Sequence, residues 1–150
     1  MPEHIALEKV ESALTDVIES LRADQEGYQE FGARLKDARA KRLFLEEMQR
    51  RAEYAAELEN ELHRMGVHDV KAGVSRAAKL RHFWGEVQAH LAGDQKALLS
   101  AAEKSDDKAE KAYAKTLKLE LPLPLREMLD RQLAHIQRSH DQVRALHDLP

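Results

Sequence analysis

The chain has 150 residues, with 24 Lys and Arg against 27 Asp and Glu, for a net charge of −3. That is one domain of ordinary size, expected to span residues 1–150, with no basic block to serve a nucleic acid or an anionic membrane. Charged residues make up 34% and aromatic residues only 5%, with six Gly and four Pro. This composition favours long helices and excludes a sheet protein, which needs more β-branched and aromatic side chains. With no cysteine, disulfides, zinc–thiolate sites and thiol nucleophiles are excluded. The first residues lack the basic and apolar regions of a signal peptide, and no apolar run could span a bilayer. A cytoplasmic chain is the expectation.

Apolar residues recurring at alternating three- and four-residue steps mark the buried stripe of a bundle helix. The first such stretch, from about Pro2 to Lys36, reads Leu7, Val10, Leu14, Val17, Leu21, Asp24, Tyr28, Phe31 and Leu35. Asp37 is placed to cap a second helix, which runs to Met65 and stops at Gly66. Its stripe reads Phe44, Met48, Arg51, Ala55, Leu58, Leu62 and Met65. Each stripe is interrupted once by a charge. Folding the two helices together about residues 37–38 sets Asp24 level with Arg51, so a buried ion pair is expected between them.

Residues 66–93 break the pattern. A loop to Gly73 precedes a shorter amphipathic stretch through Ala77, Leu80, Trp84, Val87 and Leu91. Asp94 can then cap a third long helix with Leu98, Ala102, Ser105, Ala109, Ala112, Thr116 and Leu119 on its stripe. The prolines of Leu121-Pro122-Leu123-Pro124 interrupt helix. A fourth helix follows to about Leu146, burying Leu125, Leu129, Ile136 and Val143. Folding this pair back at residues 122–123 sets His140 against Ser105. Two tight hairpins joined by a long crossover predict an all-α four-helix bundle. A crossover of that length lets the second and third helices run parallel, and periodicity alone does not choose between that and a simple up-down course. A short fifth helix is expected in the crossover.

The segment Leu14–Phe31, the run Ala55-Ala56-Glu57-Leu58, Gly66, the Trp84-bearing stretch and Ser139-His140-Asp141 resemble a bacterial ferritin-like four-helix-bundle family. It is known as a domain of unknown function (number 2383). The resemblance covers nearly the whole chain through diffuse helical patterns. It implies a ferritin-like fold and carries no established activity.

A ferritin-like fold raises the question of a di-iron centre built from carboxylates and Glu-x-x-His pairs. Candidate ligands by spacing are Glu26, Glu57, Asp107 and His140. Helical phase opposes them: Glu26 lies two residues beyond Asp24, a rotation of about 200°, and Asp107 stands in the same relation to Ser105. The pairs Gln137-x-x-His140 and Glu57-x-x-Asn60 are degraded. The residues expected at the centre are instead Asp24, Arg51, Ser105 and His140, and a fixed guanidinium there disfavours a metal.

No nucleophile–base pair or phosphate loop is recognisable. The expected role is a non-enzymatic interaction or structural protein, stress- or assembly-related, without cofactor. The alternative is a metalloprotein storing iron or oxidising with it. Phe83 and Trp84 of the crossover, with Leu43, Leu45, Leu99 and Leu117 outside the main stripes, suggest leftover apolar surface and hence a homodimer.

Overall fold

The computed structural model describes residues 2–67 and 95–149, with side chains described from Leu7 onward. Four helices make up the described residues, with no strand among them: α1 (Pro2–Gly32), α2 (Ala38–Arg64), α3 (Gln95–Leu117) and α4 (Leu123–His147). The expected fifth helix, with Phe83 and Trp84, lies outside the described residues. So does the expected Asp94 cap.

The stripes read from the sequence are the buried faces. Val10, Leu14, Val17, Leu21, Tyr28, Phe31 and Leu35 are buried, as are Phe44, Ala55, Leu58 and Leu62 of α2. Leu7 is exposed at 38%, and Met48, Met65 and Leu119 are only half-buried. On α4, Leu125, Leu129, Ile136 and Val143 are all buried. The boundaries differ modestly. α1 ends at Gly32 rather than Lys36; a Cβ on Gly32 would lie 3.0 Å from Cβ of Phe44, so α2 packs close against this last residue. α4 begins at Leu123, since Pro124 in the first turn lacks only an N–H that no helix bond requires.

The caps follow sequence chemistry. Asp37 Oδ1 accepts from the backbone N–H of Arg39 and Ala40, at 2.8 and 3.2 Å. These bonds hold its carboxyl below the usual carboxylate range. At the far end of α2, Gly66 N donates to His63 O and Val67 N to Leu62 O, the paired bonds of a Schellman stop. Gly66 takes φ +93° there, a conformation that costs an L-residue about 1–2 kcal/mol. Gly66→Ala is therefore expected to lower stability by about 1 kcal/mol, read as a drop of a few degrees in thermal midpoint.

α1 packs against α2 and α3, and α4 packs against α3 and α2, leaving α2 diagonal to α3. Two apolar clusters fix the directions. One joins Val10–Leu21 with Leu58, Leu62, Ala112 and Tyr113. The other joins Tyr28–Leu35 with Ala40, Phe44, Leu98 and Leu99. The starts of α2 and α3 thus share one end of the bundle, so these two helices run parallel. The N–H of Asp37 donates to Gln95 Oε1 at 3.0 Å, which ties the first turn to the beginning of α3.

Three of the residues taken as leftover surface do not serve that purpose: Leu43 is half-buried and packs against the second cluster. Leu99 is 1% exposed within the core, and Leu117 packs against the other cluster. The alternating stripe had room for only one residue per turn, whereas α3 buries pairs such as Leu98–Leu99 and Ala101–Ala102.

Candidate functional site

Between the two apolar clusters lies a layer of buried polar groups from all four helices. Arg51 of α2 is fully buried, as is Asp106 of α3. Arg51 Nη2 donates to Asp106 Oδ1 at 2.9 Å and to Glu47 Oε1 at 3.2 Å. The first bond crosses the bundle diagonally, a span that suits the long arginine stem. Tyr28 of α1 donates its hydroxyl to the same Asp106 oxygen at 2.8 Å. Its ring lies 5.3 Å from the Arg51 guanidinium carbon, within cation–π range. The same ring meets Phe44 edge-on at 4.9 Å.

Asp24, also of α1, accepts a hydrogen bond from Ser105 Oγ. On the α4 side, His135 Nε2 lies 2.8 Å from Glu47 Oε2, and the His135 ring packs edge-on to Tyr54. Each helix therefore contributes a polar side chain, and Arg51 stands among three carboxylates.

Burial sets the direction of the aspartate proton affinities in this layer, and the neighbouring charges modify it. Burial pushes Asp24 up to about 7, with Arg51 opposing and Asp106 reinforcing the rise. Burial likewise raises Asp106 to about 6, against the pull of Arg51 and the Tyr28 hydrogen bond. Burial works against the charge on Arg51, but Asp106, Tyr28, Asp24 and Glu47 outweigh it, so the guanidinium stays protonated. Asp24 Oδ2, Asp106 Oδ2, Arg51 Nε and Arg51 Nη1 are buried without a hydrogen-bond partner among the described residues.

The sequence-derived candidates fall as follows. Asp24, Arg51 and Ser105 are buried at 1%, 0% and 1% exposure. The direct pair is not Asp24–Arg51: Arg51 reaches past its neighbour on α1 to Asp106, and Asp24 turns to Ser105. His140 is not in the layer. Its side chain retains 18% exposure and faces Asp107 and Glu110 in the α3–α4 groove, with Nδ1–oxygen distances of 3.5 and 3.6 Å. The inward polar positions of α4 are Gln132 and Ser139, with the half-buried His135 beside them.

The spacing-derived metal set does not assemble as a whole. Glu26 is exposed on α1. Glu57 pairs with Arg131 at 2.8 Å and accepts from Gln132. Only Asp107 and His140 meet. Asp106 and His135 escaped the sequence reading. The charged run Glu46-Glu47 reads from sequence as a solvated helix face, yet Glu47 is 2% exposed, because it precedes Arg51 by one helical turn and shares its face. The pair Gln132-x-x-His135, inward-facing where Gln137-x-x-His140 is not, was also there to be found.

No curated protein matches the chain. The model of one family, described as a domain of unknown function (DUF2383), matches residues 9–119, a span that takes in Asp24, Glu47, Arg51 and Asp106. The match covers well over half of the sequence, and the chain belongs to this family.

Proposed function

We propose that the chain is a ferritin-like four-helix bundle acting as a non-enzymatic interaction or structural protein, whose central cation is the guanidinium of Arg51. The carrying observation is the position of that side chain, fully buried and bonded to Asp106 and Glu47. Carboxylates converging from several helices could otherwise gather metal ions. With a fixed positive charge among them, a cation entering the layer meets direct repulsion and fewer free oxygens. The parallel course of α2 and α3, with its long crossover, supports the ferritin-like assignment.

The test is elemental analysis of protein purified from iron-supplemented cells, with Glu47→Gln and Asp106→Asn in parallel. Iron well below one equivalent, unchanged by either substitution, is the expected result. Stoichiometric iron that falls in both variants would replace this reading with iron storage or oxidation.

A further inference from the structure

We propose that the groove between α3 and α4 holds a divalent transition-metal ion of the zinc type, bound by Asp107, Glu110 and His140. This site lies on the flank of the bundle, apart from the Arg51 layer, and does not depend on the reading of that layer. Asp107 and Glu110 are three residues apart on α3 and so project from one face. His140 comes from the antiparallel α4. One ligand atom from each residue lies within 4.8 Å of the others.

The spacing fits a metal better than it fits hydrogen bonds. His140 Nδ1 stands 3.5 Å from Asp107 Oδ1 and 3.6 Å from Glu110 Oε1. Both distances exceed the usual range for a hydrogen bond to nitrogen, which ends near ~3.2 Å. A tetrahedral ion with bonds of about 2.1 Å sets its ligand atoms about 3.4 Å apart, close to the two imidazole–carboxylate distances here.

Among the described residues, neither carboxylate forms an ion pair with Lys or Arg, so neither is already neutralised by such a partner. Lys108 and Lys111 follow them by one residue, turned about 100° around the helix. An imidazole with two carboxylates suits zinc, cobalt or nickel, whereas calcium and magnesium prefer all-oxygen shells. Three protein ligands leave a fourth position open. Asp107 is 53% exposed, so that position faces solvent, where water or a donor from another molecule can complete the shell. The ion would clamp α3 to α4.

Tag-free full-length chain, stripped with a chelator, should be titrated with Zn²⁺ by calorimetry and with Co²⁺ by visible absorbance. One equivalent of Zn²⁺ is expected, with a cobalt spectrum of low coordination number and a higher thermal midpoint in the presence of zinc. His140→Gln and Asp107→Asn should each weaken binding by about tenfold or more. His147→Gln should leave it unchanged. Thermal midpoints of these variants in chelator should match that of the parent chain, which separates loss of the ion from loss of the fold. Several weak sites, no saturable binding, or a single site indifferent to His140→Gln would overturn the proposal. Binding that vanishes in Glu47→Gln and persists in His140→Gln would overturn it too, by moving the ion to the bundle centre.

Discussion

Asp106→Leu should destabilise the protein more than the double change Asp106→Leu with Arg51→Met. The single substitution strands a guanidinium among apolar walls, with Glu47 as its remaining direct ion-pair partner. Breaking one side of a buried pair typically costs about 3–5 kcal/mol, whereas replacing both sides with apolar residues can be close to neutral. Arg51→Met alone should also be severe, because Asp106 and Glu47 then face each other without their shared cation. Urea unfolding of the four proteins in the cycle gives the coupling, expected at about 2 kcal/mol or more. Losses that simply add would rule out a direct Arg51–Asp106 interaction of the kind described. Asp24→Asn should cost little at pH 5.5, where Asp24 is already protonated in the fold and an amide oxygen can still accept from Ser105.

Thermal stability is expected to fall as pH rises from about 4 through 7, opposite to the usual behaviour of paired carboxylates. Asp24 moves from 3.8 in the unfolded chain to about 7 in the fold, and Asp106 from 3.8 to about 6. Across that interval the folded protein binds protons that the unfolded chain releases. Raising pH therefore favours unfolding, and the contribution is lost once the folded values are passed. Every tenfold difference in proton affinity between the folded and unfolded chain is worth about 1.4 kcal/mol, so the combined effect reaches a few kcal/mol. Arg51, Glu47, Tyr28 and Ser105 bear on these carboxyls from within the layer, and Lys108 and His140 act on them electrostatically from outside it. Melting curves at pH 5.5 and pH 8 should differ by several degrees in favour of the lower pH. Asp24→Asn should raise the midpoint at pH 8 and shrink the difference. A dependence that Asp24→Asn leaves untouched would locate its origin elsewhere.

Helix existence, hairpin pairing and helix ends at Asp37 and Gly66 were legible because each has a local cause: periodicity, a capping carboxylate, a glycine. The polar layer was half legible. Asp24, Arg51 and Ser105 stood out as polar residues on apolar stripes. Asp106 did not, because a stripe of one residue per turn treats it as a flank of Ser105, while α3 buries both. Partner choice was beyond periodicity altogether. Two residues at equal height on neighbouring helices are natural partners when side chains are short. An arginine can instead bridge the diagonal, and only the packed geometry decides between them. His135 and His140 show the same limit. Both fall near the edge of the α4 stripe, and which one meets the layer depends on the local rotation of α4 against α2.

The layer also bears on how the chain reaches this fold. Its interhelical bonds join the first hairpin to the second: Arg51 and Asp106 are 55 residues apart, Tyr28 and Asp106 78, Asp24 and Ser105 81, and Glu47 and His135 88. Contacts within each hairpin span shorter loops and can form early, whereas these must wait until the hairpins dock. Apolar stripes alone would tolerate docking one helical turn out of step, since leucine against leucine is much the same in either position. A slip of one turn would separate Arg51 from Asp106 and leave both charged in an apolar interior. The charges thus act late, as a check that rejects misaligned encounters and admits one alignment of the two halves.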